Sequence, residues 1–417
     1  MTSIELNTRP SATDTVLEVD NLSVSFPTED GLVKAVRGVS YTLRRGETLG
    51  IVGESGSGKS VTSLALMGLL PGSAKITGSA RFRGEELLGK NDREMSKIRG
   101  KNLAMIFQDP LTSLNPVYSI GKQIAEAVLV HHDVSKRAAW DRAVDLLKIV
   151  GIPFPEQRVN NYPHEMSGGM RQRVVIAIAM ANNPEVMIAD EPTTALDVTV
   201  QAQVLEALEA ARTEIGAALV LITHDLGVIA GHADRVCVMY AGKLVESGTV
   251  DDIFYRPRMP YALGLLGSLP RVDEGRDARL TPIVGTPPSL LNLPPGCPFR
   301  PRCPLAQDIC DEVEPDLIAV DAGGQHAAAC HFSTQLVDTQ ATDVFAVTSV
   351  DVDTEEVAVA DTDLVADTDL VVDPDLVAGT GAGLVAGTGA GTGTGLVAGT
   401  NPVAGTNRVA DSPEEAS

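Results

Sequence analysis

The sequence predicts an α/β fold built on a mostly parallel sheet, and two patterns within residues 17–267 lead to that prediction. Short aliphatic runs alternate with longer stretches of helical spacing, as in domains where each strand is followed by a helix. The short runs are also apolar throughout, which is typical of strands that are covered on both faces. The candidate strands are TLGIVG (48–53), LAMIF (103–107), VMIAD (186–190) and ALVLIT (218–223).

Composition limits the class of protein. The chain has 417 residues, more than one compact core usually holds, and 44% of them are apolar. Its net charge of −22 argues against a nucleic-acid surface, which needs a basic face, and much of the charge lies in residues 333–417. No apolar run is long enough to span a bilayer, and residues 1–16 lack the pattern of a secretory signal. We therefore expect a chain that is kept in a reducing cytosol.

The chain divides into four segments by composition. We predict a flexible amino terminus (1–16), an α/β domain (17–267) with a helical insertion at about 109–180, a small cysteine-bearing module (268–332) and a tail (333–417). The tail repeats short Asp-, Thr-, Gly- and Ala-rich units such as DTDLVA and LVAGTGA. Such units cannot bury a core, so we predict that the tail is disordered.

A glycine-rich motif lies directly between the strand candidate TLGIVG and the helical stretch VTSLALMGLL. It fits the phosphate-loop pattern, and the strand–loop–helix context makes a chance Gly/Ser-rich turn a minor alternative. The backbone N–H groups of such a loop point at phosphate oxygens, the lysine reaches the β- and γ-phosphates, and the last hydroxyl binds Mg²⁺. The residues of this loop are Gly53, Glu54, Ser55, Gly56, Ser57, Gly58, Lys59 and Ser60.

Two adjacent carboxylates, Asp190 and Glu191, follow the strand candidate VMIA. Ligands gather at the carboxyl ends of strands in open α/β sheets. We predict that Asp190 holds Mg²⁺ and that Glu191 polarises the attacking water. The competing interpretation, two solvated acids at a strand end, is weakened by the phosphate loop upstream.

Further motifs resemble those of the ATP-binding-cassette (ABC) ATPases. The run Met166-Ser167-Gly168-Gly169-Met170, followed by Arg171-Gln172-Arg173, is similar to their signature loop, with Met170 in place of the common glutamine. Other matches follow in the family's order: Gln108 resembles the Q-loop glutamine, Ala195-Leu196-Asp197 the D-loop, His224 the switch histidine, and Phe26 the ring that stacks on adenine.

This resemblance implies a fold and a mechanism. The fold is an ABC-type phosphate-loop core with an antiparallel β subdomain and an inserted helical subdomain. Two cassettes would sandwich ATP, with Ser167, Gly168, Gly169 and Asp197 of one chain facing the nucleotide bound by the other. Gln108 would sense Mg²⁺ and the attacking water, and His224 would contact the γ-phosphate. For Phe26, packing in the core is the competing interpretation.

The run QDPLTSLNP (108–116) and the cysteine module resemble the ATP-binding subunits of oligopeptide and dipeptide importers, whose relatives also import nickel or glutathione. The implied partners are a second ABC ATPase subunit (the same chain or a different one), two transmembrane permease subunits and an external solute-binding protein. The implied location is the cytoplasmic face of the cell membrane. A soluble cassette acting on DNA or ribosomes and an export motor are the competing functions. They are disfavoured because we find one cassette, no heptad run and no fused membrane domain.

Four cysteines cluster near the end of the predicted folded region, in the pattern C-x5-C-x6-C-x19-C. A disulfide is disfavoured in a reducing compartment, and zinc prefers closer pairs than these. An iron–sulfur cluster suits uneven spacings beside proline, zinc is the alternative, and four free thiols come third. The resemblance adds that some members of the importer family hold a [4Fe–4S] cluster at this motif. The cysteines are Cys297, Cys303, Cys310 and Cys330.

Overall fold

The computed structural model describes residues 14–194, 196–269 and 282–345. These residues form two β-sheets surrounded by helices. In chain order the strands are β1 (Thr15–Thr28), β2 (Gly31–Arg44), β3 (Thr48–Val52), β4 (Lys75–Phe82), β5 (Glu85–Glu86), β6 (Leu103–Ile106), β7 (Val186–Asp190), β8 (Ala218–Thr223), β9 (Arg235–Tyr240), β10 (Lys243–Thr249), β11 (Ile318–Ala319) and β12 (Ala327–Ala328).

The larger sheet has eight strands in the order β11-β12-β10-β9-β3-β8-β7-β6. The five strands from β9 to β6 in that order are parallel, and the other three add an antiparallel edge. Every residue of β3, β7 and β8 is buried, which accounts for their continuous apolar sequences. The four predicted strands are present within one residue of their expected ends. Since β3, β6, β7 and β8 run the same way, the loops that follow them meet at one edge of the sheet.

The smaller sheet is antiparallel, with the order β2-β1-β4-β5. Its buried residues Leu17, Val24 and Leu43 share a hydrophobic cluster with Leu49 and Ile51 of β3. This packing fixes the long β1–β2 hairpin against the strand that leads into the phosphate loop. It corresponds to the antiparallel subdomain implied by the family resemblance.

The helices surround the larger sheet, and between β6 and β7 the chain has helices and no strand among its described residues. Helix α5 shows why these segments are helical: Ser135 accepts a hydrogen bond from the backbone N–H of Ala138, and one face buries Ala139, Ala143 and Leu146. Three short 3₁₀ turns are Pro163–Glu165, Arg300–Arg302 and Ser333–Leu336. The helices are α1 (Lys59–Leu66), α2 (Asp92–Met95), α3 (Pro110–Ser113), α4 (Ile120–His131), α5 (Lys136–Ile149), α6 (Pro155–Arg158), α7 (Gly168–Ala179), α8 (Val198–Ile215), α9 (Leu226–His232), α10 (Val250–Tyr255), α11 (Pro260–Gly267), α12 (Ile309–Glu312) and α13 (Ala341–Phe345).

None of the helices in the described ranges is long and apolar enough to cross a membrane.

Residues 282–345, called here the C-terminal segment, are joined to the α/β domain at several points. Strand β12 pairs with β10, so the segment extends the larger sheet. Arg37 of β2 makes a two-pronged ion pair with Glu314, at 2.8 and 3.1 Å. The carboxylate of Glu246 in β10 is fully buried and lies 2.7 Å from Nε2 of His326. The segment is therefore part of the same packed body.

The predicted start of the disordered tail at residue 333 is wrong. The turn at Ser333–Leu336 and helix α13 both pack on the domain, and Leu336, Ala341 and Phe345 are buried. A Cβ on Gly264 of α11 would lie 2.9 Å from Cζ of Phe345, so the glycine makes room for that ring. The tail repeats and most of the predicted flexible residues 1–16 lie outside the described residues, although β1 already begins at Thr15.

The buried pair Glu246–His326 gives a prediction about stability. Glu246 also accepts hydrogen bonds from the backbone N–H groups of Arg258 and Met259, so its side chain has three hydrogen-bond partners. His326→Ala would remove one of these partners from a buried acid, and we expect the free energy of unfolding to fall by about 1–3 kcal/mol. Chemical denaturation followed by circular dichroism measures the change. His132→Ala, at an exposed position, is the control, and an equal effect of both substitutions would contradict the prediction.

Candidate nucleotide-binding site

The carboxyl ends of four parallel strands supply the candidate site. β3 leads into the phosphate loop, β6 is followed by Gln108, β7 ends at Asp190 with Glu191 next, and β8 is followed by His224. Asp190 is paired with Ile222 in the register of β7 and β8, and Val52 with Thr223 in that of β3 and β8. The strand order therefore brings residues that are distant in sequence to one place.

The phosphate loop has a backbone shape that only glycine can adopt at two of its positions. Gly53 has a φ of 155° and Gly58 a φ of 103°. A Cβ at Gly53 would lie 2.1 Å from the carbonyl oxygen of Met239, and one at Gly58 would lie 2.4 Å from that of Ala35. The loop is thus wrapped tightly against its neighbours, as a phosphate cradle must be.

Lys59 begins helix α1, and its side chain is 4% exposed. Its ammonium group donates hydrogen bonds to the carbonyl oxygens of Gly53 (2.7 Å) and Glu54 (2.9 Å) and lies 3.9 Å from a carboxylate oxygen of Glu191. Burial lowers the pKa of Lys59, and the carboxylates of Glu191 and Asp190 oppose that shift by stabilising the charged form. The lysine closes the loop on itself while facing the cavity.

Ser60 and Asp190 form a candidate Mg²⁺ site. The Ser60 hydroxyl donates to a carboxylate oxygen of Asp190 at 3.0 Å. Burial raises the pKa of Asp190, while the bond from Ser60 and the charge of Lys59 lower it. A hydroxyl and one carboxylate are the hard oxygen ligands that Mg²⁺ takes from proteins when phosphates and water complete its shell. The residues present therefore fit the ion expected beside a nucleotide.

Glu191 lies in a strained and well-fixed position. Its φ is 46°, in the left-handed region that residues with a side chain rarely adopt. Its backbone N–H donates to the carbonyl oxygen of Ile222, and its carboxylate accepts from the Thr194 hydroxyl at 2.8 Å. Nδ1 of His224 lies 3.4 Å from the same carboxylate oxygen. Glu191 and His224, two of the three residues assigned to catalysis with Gln108, are thus close neighbours.

Lys59, Ser60, Glu191 and His224 line one open cavity of about 640 Å³, whereas Asp190 does not line it but is hydrogen-bonded to Ser60. The sequence motifs identify most of the residues that line this cavity. They do not identify four others, which lie outside every motif: Ala35, Val61, Leu265 and Leu290. Leu290 comes from the C-terminal segment, so that segment borders the cavity. The marked residues that line it are Glu54, Ser55, Gly56, Gly58, Lys59, Ser60, Gln108, Glu191 and His224.

The signature-loop residues do not line this cavity. Ser167 caps helix α7, its hydroxyl accepting from the backbone N–H of Met170 at 3.4 Å. A Cβ on Gly169 would lie 2.3 Å from Val200 of α8, so the two helix starts are in close contact. Asp197 caps α8 by accepting from the N–H of Val200 at 3.0 Å. Ala195 lies outside the described residues.

Phe26 lies near the end of β1, where it is half-buried against the core cluster of the smaller sheet. Among the described residues it is not part of the cavity lining. The adenine-stacking assignment therefore stays a prediction.

The four cysteines of the C-terminal segment all line one small cavity of about 20 Å³. That volume holds about one water molecule. Within the described ranges no group of three or more His, Cys, Asp or Glu side chains is arranged to hold a metal ion. The donor set suits a metal centre chemically, but the observed geometry gives no support to the predicted iron–sulfur cluster or to zinc. Burial raises the pKa of Cys303 to about 12 and that of Cys330 to about 11, so these thiols carry their protons at neutral pH.

Two family models match the chain. The ABC transporter model matches residues 36–194, which include the phosphate loop and both carboxylates. The model described as the oligopeptide/dipeptide transporter C-terminal region matches residues 245–310.

Several curated relatives are named as ATP-binding proteins of oligopeptide or dipeptide transport. The dipeptide transport ATP-binding protein DppD of Bacillus subtilis is 56% identical over 302 residues, which are 72% of this chain and 90% of that protein. The oligopeptide transport ATP-binding protein OppD of Escherichia coli is 51% identical over 318 residues, 76% of this chain and 94% of that protein. OppD of Mycobacterium tuberculosis is 54% identical over 333 residues, which are 80% of this chain but 54% of that protein. The chain thus spans about half the length of its mycobacterial relatives.

Solved structures agree on the fold. A dimeric ATP-binding cassette in a post-hydrolysis state, bound to ADP and phosphate, matches with a TM-score of 0.51 and 27% identity over 56% of this chain and 98% of that one. The protein cbiO1 of Clostridium perfringens, part of an ABC transporter complex, matches with a TM-score of 0.50 and 26% identity over 58% of this chain and 92% of that one. This confirms the predicted ABC-type ATPase fold. The chain belongs to the ABC transporter family and is similar to the ATP-binding proteins of oligopeptide and dipeptide transport.

Proposed function

We propose that this chain is the ATP-hydrolysing subunit of an importer that takes up oligopeptides or dipeptides. One observation carries the proposal: the phosphate loop, Glu191 and His224 meet around one cavity that is large and open enough for a nucleotide, and Asp190 is bonded to Ser60 of that loop. Peptide is favoured over nickel or glutathione because the C-terminal region matches the peptide-transporter model and the relatives above are named for peptides.

The proposed site binds Mg-ATP through the phosphate loop. The backbone N–H groups between Gly53 and Ser60 hold the β- and γ-phosphates, and Lys59 adds a positive charge that is already desolvated. Ser60, Asp190 and Gln108 would hold Mg²⁺. When bound, that ion would neutralise charge that develops on the phosphates during hydrolysis.

Hydrolysis needs a water placed opposite the bond to the leaving ADP. Glu191 would orient that water and accept its proton as the oxygen attacks the γ-phosphorus and the bond to ADP breaks. His224, whose Nδ1 lies 3.4 Å from a Glu191 carboxylate oxygen, would contact the γ-phosphate. The strained backbone of Glu191 fixes the direction of its carboxylate before the nucleotide arrives.

A second cassette completes the site in this proposal. Ser167 and the two glycines after it form a helix start that is suited to anions, yet within one chain they lie away from the cavity. A partner, either a second copy or a different cassette, would supply the same loop to the open face of the bound nucleotide. Asp197, at the start of the adjoining helix, would lie at the seam between the two.

Two permease subunits and an external solute-binding protein are the remaining proposed partners, at the cytoplasmic face of the membrane. The chain between β6 and α4 offers exposed apolar side chains: Val117 is 71% exposed, Tyr118 49% and Phe107 37%. Exposed apolar groups of this size commonly mark docking surfaces. Phe107 precedes Gln108 directly in the chain, so a permease docked here would be linked to the nucleotide through that residue.

The assignment of the base predicts the behaviour of Glu191→Gln. Because glutamine cannot accept the proton of water, we expect ATP hydrolysis to fall by about 10²–10⁴-fold while ATP binding persists. Phosphate release measures the rate, and light scattering in the presence of Mg-ATP should show a stable ATP-bound dimer. Glu206→Gln, an exposed acid on α8, is the matched control. Wild-type turnover by Glu191→Gln would refute the assignment.

We further propose that the four cysteines bind an iron–sulfur cluster, with zinc as the competing occupant. The proposal rests on the cysteine spacing and on the one small cavity that all four residues line, which would have to open to take a cluster. Cys303 and Cys330 would also have to lose their protons. Anaerobically purified full-length chain should contain roughly four irons, with sulfide and a broad visible absorption. Cys303→Ser should lose the iron, whereas Cys237→Ser, buried in β9, should retain it. Stoichiometric zinc, or no metal, would contradict the cluster.

A further inference from the structure

The phosphate loop is held by a residue of the C-terminal segment. The guanidinium group of Arg302 makes a two-pronged ion pair with the Glu54 carboxylate, with N–O distances of 2.6 and 2.8 Å. The side chain of Arg302 is 4% exposed and that of Glu54 27% exposed. A buried, bidentate arginine–carboxylate pair fixes both position and direction.

Arg302 is itself firmly placed. Its guanidinium carbon lies 5.9 Å from the ring centres of both Tyr240 and Phe299. Its remaining N–H groups donate to the Tyr240 hydroxyl at 3.4 Å and to the carbonyl oxygen of Val284 at 3.2 Å. Because Arg302 is fixed within the C-terminal segment, its ion pair with Glu54 holds the phosphate loop in a set position relative to that segment.

The backbone of Glu54 has a second external contact. Its N–H donates to the hydroxyl of Tyr261 in α11, at 2.8 Å. Tyr261 is fully buried, and its ring packs on Tyr240 at 4.6 Å and on Phe299 at 5.4 Å. One aromatic cluster thus supports both contacts to the same loop residue.

The charge of Glu54 explains why this support matters. The carbonyl oxygen of Glu54 accepts from the ammonium group of Lys59, and Glu54 lines the nucleotide cavity. An unpaired carboxylate there would repel a triphosphate and compete for Lys59. Arg302 offsets the charge of that carboxylate by pairing with both of its oxygens.

We propose that Arg302 and Tyr261 are positioning residues for the phosphate loop, so that the C-terminal segment is a working part of the nucleotide site. This inference rests on the proposed function. It assigns the segment a task in nucleotide affinity that does not depend on what the cysteines bind.

A double-substitution cycle on the full-length chain tests the proposal, with a fluorescent ADP analogue and Mg²⁺ as the probe. Arg302→Gln should weaken binding about tenfold, since it leaves the Glu54 charge beside the nucleotide. Glu54→Gln together with Arg302→Gln should restore most of the affinity, because the repulsive charge is gone. In steady-state ATP hydrolysis, Arg302→Gln should raise the KM for ATP and should lower kcat much less.

Arg300→Gln is the matched control, because Arg300 lies in the same 3₁₀ turn but pairs with Asp311 at the surface, and it should bind as the wild type does. If Arg302→Gln fails to fold, Tyr261→Phe tests the proposal instead. This substitution keeps the ring and removes the hydroxyl, and we expect it to weaken nucleotide binding about fivefold.

Unchanged nucleotide binding by folded Arg302→Gln would overturn the proposal. If Arg302→Gln does not fold, unchanged binding by Tyr261→Phe would overturn it. Nucleotide binding that is weakened equally in Arg302→Gln and in the double variant would also overturn it. A wild-type chain that binds no nucleotide would instead refute the proposed function.

Discussion

The shape of the phosphate loop is the constraint on which the other features of this site depend. The loop can hold a triphosphate only while its backbone N–H groups stay turned inward, and its glycines make that shape possible without making it stable. Lys59 stabilises this shape from within the loop, and further contacts come from outside it. The backbone N–H of Gly242 donates to the carbonyl oxygen of Ser57, and Tyr261 accepts from the N–H of Glu54. The turn between β9 and β10 and helix α11 therefore act together on a few residues of the loop.

Buried charges of both signs form the second layer of the same arrangement. Burial shifts the pKa of Lys59 down and that of Asp190 up, and each group stabilises the charged form of the other. Perturbed pairs of this kind concentrate where proteins handle charged ligands. A bound Mg-nucleotide would add a cation beside Asp190 and anionic oxygens beside Lys59. Each of these buried charges would then have a ligand charge of opposite sign next to it.

Sequence patterns predicted the parts of the fold that depend on local chemistry. The strands were found because complete burial leaves an unbroken apolar run, and the phosphate loop because its glycines have few substitutes. The pairing of Glu54 with Arg302 was missed because the two residues are 248 positions apart and each is ordinary in its own surroundings. The packing of Leu336 and Phe345 was missed for a similar reason. A few apolar residues beside an acidic repeat do not reveal the space that Gly264 of α11 leaves for the Phe345 ring. Leu290 likewise borders the cavity without any motif around it.

In the proposed mechanism, nucleotide is held from two sides, by the phosphate loop of one chain and by Ser167, Gly168 and Gly169 of a partner. A structure of the hydrolysis-deficient chain with its partner cassette and Mg-ATP would test this arrangement. We expect a triphosphate that lies between Lys59 of one subunit and the Ser167 helix start of the other. A nucleotide held and hydrolysed by a single cassette, with the Ser167 loop facing solvent throughout, would contradict it.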